Sequence, residues 1–115
     1  MTRTITPKPL TTQAYYILIE LTKQDYRPYL LATRLNLHLA AQSQFPDASS
    51  VKQTLERLVK RGYVSHNLHQ NITYHLEPGG YDALEAEMER LSGLVDAGKS
   101  ALVTARKISA NRLRG

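Results

Sequence analysis

Cysteine and tryptophan are absent from the 115 residues, and phenylalanine appears once. Without cysteine the chain has no disulfide, no thiolate zinc site, no iron–sulfur cluster and no thiol nucleophile. Long apolar runs are missing too. The longest is about five residues, far short of the roughly 20 that cross a bilayer as a helix. The stretch from Met1 to Pro9 holds no apolar segment of signal-peptide length. These absences point to a soluble, cytoplasmic protein with no membrane partner. There is no phosphate-binding glycine loop and no nucleophile motif, so an enzyme, a cofactor and a metal are not expected. His66, His69 and His75 lie near one another in sequence, but no cysteine or neighbouring carboxylate completes a ligand set.

What is present is a globular composition, 42% apolar and 22% charged, of a size that suits one compact unit. The net charge of +5 is unevenly placed. Residues 1–76 carry nine bases and four acids, residues 77–97 one base and six acids, and residues 98–115 five bases and no acid. A basic body seeks a polyanion. The acidic block does not lie on that polyanion and suits a structural or protein-pairing role.

Periodicity predicts four helices and a hairpin. Residues 1–9 read as an arm, because Pro7 and Pro9 oppose helix. A first helix is expected from about Thr12 to Lys23, with Thr11 or Thr12 as N-cap. Leu10, Ala14, Ile17, Leu18 and Leu21 form one apolar stripe, and Tyr15 and Ile19 a second on another side. A helix with two apolar sides touches two surfaces. A second helix opens at Pro28 and runs to about Leu39, with Leu31, Leu35 and Tyr29 inward. A loop through Phe45 and Pro46 leads to a third helix, capped by Asp47 or Ser49 and stopped by Gly62. Val51, Leu55, Leu58 and Val59 line its apolar side. Tyr63–Ser65 and Ile72–Leu76 read as strands joined by a loop over residues 66–71. The fourth helix is expected from about Tyr81 to at least Ala97. Its seam of Tyr81, Leu84, Met88, Leu91 and Val95 continues to Gly98, Leu102 and Ala105. Gly98 marks an expected bend, and the basic end an expected fraying.

The fold class that follows is mainly α with a small β-hairpin: a winged helix-turn-helix over 10–76 and a C-terminal dimerisation helix with a basic tail over 77–115. In that arrangement the third helix enters the major groove of double-stranded DNA. Ser49 and Ser50 stand at its N-terminal end, Lys52, Arg57, Lys60 and Arg34 offer phosphate contacts, and Gln53 and Arg57 suit adenine and guanine edges. The same spacing also describes an ordinary amphipathic helix with a solvated face. A winged helix used for protein assembly, with no DNA target, is the competing function. Glu56 on the polar side and a wing without permanent positive charge speak for it.

The segment 49–64, SSVKQTLERLVKRGYV, resembles the third-helix region of PadR-like transcriptional regulators. LTTQAYYILIEL at 10–21 is similar to that family's first helix, RPYLLATRL at 27–35 to its second, and ITYHLEPGG at 72–80 to its wing exit. The resemblance keeps its order over about residues 10–97. It implies a homodimeric DNA-binding regulator, usually a repressor, on a pseudo-palindromic operator. It also implies that Tyr15 and Ile19 meet the partner's fourth helix, and that Tyr81, Leu84, Met88, Leu91 and Val95 pair with the partner. A small aromatic effector is a further expectation. Tyr15, Tyr16 and Tyr29 are candidates to line its cavity, against the plainer reading that they are packing residues. Lys52 and Gln53 depart from the aromatic and proline that the family often carries. The wing is short, with His66 and His69 that gain charge below about pH 6.5. Glu77 and Gly79 replace the usual Thr and Glu, which predicts a fourth helix less well capped by about 1 kcal/mol.

Overall fold

The computed structural model describes residues 8–39, 47–67 and 72–114. The arm over 1–7, the Phe45–Pro46 loop and His69 lie outside the described residues. Helix α1 spans Thr12–Leu21, α2 Pro28–Leu39 and α3 Ala48–Lys60. Strands β1 (Val64–Asn67) and β2 (Thr73–Leu76) pair antiparallel, Val64 opposite Leu76 and Asn67 opposite Thr73. Helix α4 runs over Pro78–Arg114. This is a winged-helix fold, mainly α with a small β-hairpin.

Local chemistry explains each boundary. The Thr11 hydroxyl accepts the Ala14 N–H and starts α1. The helix stops at Leu21, two residues before the expected Lys23. Thr22 turns its hydroxyl back to the Ile19 carbonyl at 2.6 Å, and its own N–H is shared between the Leu18 and Ile19 carbonyls. Asp47 is the cap of α3, its carboxylate accepting the Ser50 N–H at 2.7 Å. At the other end the Tyr63 N–H reaches the Leu58 carbonyl and the Gly62 N–H the Val59 carbonyl, with Gly62 at φ 79°. That is a Schellman close, and the left-handed position requires glycine.

The core is one cluster. Ile17 and Leu18 of α1, Leu31 and Leu35 of α2, Val51 and Leu55 of α3, and Val64, Tyr74 and Leu76 of the hairpin are all buried in it. Tyr26 joins by exchanging backbone hydrogen bonds with Tyr74, at 2.8 and 3.2 Å, which adds a one-residue third strand to the wing. The sequence pattern held only a break there, because one residue has no period.

Several expectations are corrected. His66 belongs to β1 rather than to the loop; it packs edge-on against Tyr74, with ring centroids 5.8 Å apart. Tyr29 is 73% exposed and does not extend the apolar face of α2. Helix α4 starts three residues early, at Pro78, where a missing N–H costs nothing. It passes Gly98 without a break and continues through the basic end to Arg114. Each glycine costs about 1 kcal/mol, and the alanines and leucines around Gly93 and Gly98 absorb it.

The start of α4 is held by close approach. A Cβ on Gly80 would lie 2.3 Å from the Tyr63 carbonyl oxygen and 2.4 Å from a Leu76 methyl, so only glycine lets the helix meet the wing there. Glu77 turns its carboxylate away, accepting the Ser65 hydroxyl at 2.5 Å. The helix start, where Glu77 stands in place of the family's usual Thr, is therefore held by glycine contact with the wing.

Candidate nucleic-acid interface

Helix α3 buries Val51, Thr54, Leu55 and Leu58. The remaining positions of its 3.6-residue period must then face outward. Ser49, Lys52, Gln53, Arg57 and Lys60 are exposed. Among the described residues, no ion pair or side-chain hydrogen bond holds Lys52, Gln53, Arg57 or Lys60. The helix thus presents three cations and an amide to solvent.

Two expected members of this face are engaged elsewhere. The Ser50 hydroxyl accepts the Gln13 side-chain amide at 3.2 Å, and its N–H is taken by Asp47, so Ser50 ties α3 to α1. Arg34 lies 3.7 Å from the buried carboxylate of Glu20, which Lys23 also approaches at 3.3 Å. Glu20 is fully buried, and a buried carboxylate needs cationic company. Arg34 supplies part of it.

Glu56, read from the sequence as an exposed acid on the polar side, is half-buried. It accepts the Tyr74 hydroxyl at 2.6 Å. Burial, followed by the hydrogen bond and charge of Glu56, holds the Tyr74 phenol well above its ordinary pKa. The carboxylate is a tie between α3 and the wing.

The cationic face has a groove on each flank. On the wing side, Arg27, Pro28 and Tyr29 of the α2 entry meet Ala48, Ser49 and Lys52 of α3 and Ile72 of the wing, around an open groove of about 600 Å³. Arg27 and Tyr29 were missed as interface candidates. Their signal was position, since Pro28 at a helix start places its neighbours at the tip of the helix-turn-helix. On the α1 side a smaller cavity of about 370 Å³ takes in Arg57 and Arg61. Tyr29 therefore stands beside Lys52, while Tyr15 and Tyr16 touch each other edge to face on α1, 5.9 Å between centroids.

The wing is braced to the turn before α2. His75 on β2 lies with Nδ1 2.7 Å from an Asp25 carboxylate oxygen. The Asp25 hydrogen bond is the main reason the His75 pKa is raised above 6.5; desolvation comes next and opposes it, and the charges of Asp25 and Glu77 add smaller rises.

Helix α4 divides into a packed and a free part. Ala83, Leu84 and Glu87 are buried against the winged-helix body. Glu87 accepts the Leu10 N–H at 2.6 Å and the Arg90 guanidinium. Burial pushes its carboxyl pKa up, but the Arg90 and Leu10 hydrogen bonds and the Arg90 charge outweigh burial, and the pKa is lowered. Leu84 thus serves its own core, a correction to its place on the partner seam, because the first turns of α4 fold back on α1. Tyr81, Met88, Val95 and Leu102, spaced by seven, are all about half exposed, and Leu91 is half-buried. Tyr15 and Ile19 are half-buried at the outer side of α1.

No protein-family model matches the chain, and no curated protein is matched by its sequence. Solved structures do match. A transcriptional regulator from Clostridium thermocellum is similar with a TM-score of 0.64 and 16% identity, covering 76% of this chain and 87% of that one. A PadR-like transcriptional regulator from Bacillus cereus gives a TM-score of 0.62 and 24% identity, covering 78% and 89%. The adhesin competence repressor from Streptococcus pyogenes gives 0.56 and 16%, covering 83% and 67%. At these identities the likeness is one of fold.

Proposed function

We propose that the chain is a cytoplasmic, homodimeric DNA-binding transcriptional repressor of PadR-like type that reads a pseudo-palindromic operator. The observation that carries this reading is the solvent-facing set of Ser49, Lys52, Gln53, Arg57 and Lys60 on one helix, unpaired among the described residues and flanked by Arg27 and Tyr29. An α-helix fits the major groove, cations neutralise phosphates, and an amide side chain pairs with an adenine edge. The regulators of similar fold support the same reading, and one of them is named a repressor.

Dimerisation is supported by α4. Beyond Leu91 the helix extends with Leu94, Val95, Leu102, Val103 and Ile108 about half exposed. Most helical stability in proteins comes from packing an amphipathic face, and this part of α4 packs on nothing in its own chain among the described residues. A run of exposed apolar side chains marks a protein contact. A second copy would cover the Tyr81, Met88, Val95 and Leu102 stripe together with Tyr15 and Ile19. Two copies of α3 would then meet successive major grooves about 34–36 Å apart.

The assembly-module alternative loses one of its two supports, because Glu56 is bonded to Tyr74 and does not project as a free acid. Selection of bound duplexes from a random pool tests the proposal. A two-fold-symmetric consensus is expected, and recovery of no enriched duplex would refute it.

A further inference from the structure

The cavity on the α1 side of α3 has chemistry of its own. It holds about 370 Å³, within the size range of small-molecule sites. Arg57 and Arg61 line it one helical turn apart, and among the described residues no carboxylate does. Among the described residues neither guanidinium has an ion-pair partner. Its floor is prearranged. The Thr54 hydroxyl donates to the Gln13 amide oxygen at 2.6 Å, and the Gln13 amide donates to Ser50, which fixes α1 against α3. Pro9 and Leu58 complete the wall with apolar surface.

We propose that this cavity is a phosphate-binding site, with Arg57 and Arg61 gripping the anion. Two forks carry ten N–H donors between them, and planar guanidinium donors match phosphate oxygens two at a time. A dianionic phosphomonoester of a small polar body satisfies both charges, with its body over Thr54 and Gln13. A phosphodiester of bound duplex presents the same oxygens with one charge. The second source rests on the function proposed above; the first does not.

The experiment has two arms, both on the full chain. In the first, the side-chain Nε–Hε resonances of arginine are followed by NMR as glycerol 3-phosphate is added, at an ionic strength held constant with sodium chloride. A saturable shift of Arg57 and Arg61 in the wild type, with the affinity read from Arg57 at least tenfold weaker in R61Q and unchanged in K99Q, assigns the site to a free phosphomonoester. In the second, duplex affinity is measured against salt. A slope smaller by about one in R61Q, with K99Q unchanged and no shift in the first arm, assigns it to a backbone phosphate. If glycerol 3-phosphate produces only the linear drift that chloride produces, and R61Q keeps the wild-type salt slope, the phosphate site is refuted. Wild-type protein that binds no duplex refutes the function proposed above, and the first arm alone then decides the site.

Discussion

The phenol of Tyr74 and the carboxylate of Glu56 meet at 2.6 Å across 18 residues of sequence, joining the middle wing strand to the outward helix. Tyr74 also carries the Tyr26 bridge on its backbone, so one residue couples the wing to both the turn before α2 and to α3. Replacing Tyr74 by Phe keeps the ring and removes the donor. Stability should fall by about 1.5–3 kcal/mol, the usual worth of a hydrogen bond to a charged group. Urea unfolding of the variant checks this, with no change in slope. A midpoint equal to wild type would show that the contact contributes nothing.

Two glycines of α4 should respond in opposite directions. Ala at Gly80 would drive a methyl into the Tyr63 carbonyl, which is backbone and has little room to yield. Overpacking of this kind costs about 1–3 kcal/mol. Among the described residues nothing outside its own helix comes within 4 Å of where a methyl on Gly93 would stand, so Gly93→Ala should stabilise by up to about 1 kcal/mol. Thermal melts of the pair, side by side, separate close approach from helix propensity.

Glu87 links the N-terminal segment to α4 through the Leu10 N–H and Arg90. Its pKa is lowered on folding, so its ionised form favours the folded state. That contribution is complete above the unfolded value near 4.5 and is lost as pH falls through the lower folded value. Urea midpoints between pH 6 and pH 3 should therefore drop more steeply for wild type than for Glu87→Gln. The variant should be the less stable of the two at pH 6. Parallel curves would contradict the assignment.

The helices and hairpin were legible because their signals are local. A cap, a stripe and a Gly stop lie within a few residues for α3, and the hairpin strands alternate. What stayed hidden depends on contacts made at a distance. Glu20 and Glu87 look like surface acids until α2, α4 and the N-terminal segment close over them. Glu56 looks like a free charge until the wing brings Tyr74 to it. Gly80 gives no sign of its close contact, because nothing in the sequence says that the Tyr63 carbonyl will press against it. The heptad spacing of α4 was visible, but spacing alone does not say that Leu84 turns to its own core while Tyr81 and Met88 stay outside. The cationic positions of α3 were readable from its period. The grooves beside them, with Arg27, Tyr29 and Arg61, needed the neighbouring helices.

His75 should titrate above 6.5, because protonation gains the Asp25 bond. A pKa raised on folding gives stability that is present below 6.5 and is lost as pH rises through the folded value. Both side chains are more than half exposed, so the effect on stability is small. The clear readout is the ring itself. An NMR titration of the His75 Cε1 proton should have its midpoint above 6.5, and Asp25→Asn should move that midpoint down. An unchanged midpoint in Asp25→Asn would assign the shift to another cause.

Lys52 and Gln53 are adjacent on α3, yet their roles should separate on DNA. Lys52 lines the groove with Arg27 and Tyr29, at the edge where a duplex backbone would pass. Lys52→Ala should weaken binding to all duplexes alike and reduce the slope of log affinity against log salt by about one, since one phosphate contact is lost. Gln53 lies on the outermost line of the helix. Gln53→Ala should leave the salt slope intact, because no charge is removed. It should instead relax base preference at one position of each half-site by about 1–3 kcal/mol, the value of a bidentate amide–adenine pair. Affinities measured at several salt concentrations on the selected operator and on its single-base variants resolve the two effects. If Gln53→Ala flattened the salt slope and Lys52→Ala changed base preference, the helix would have to be seated the other way round in the groove.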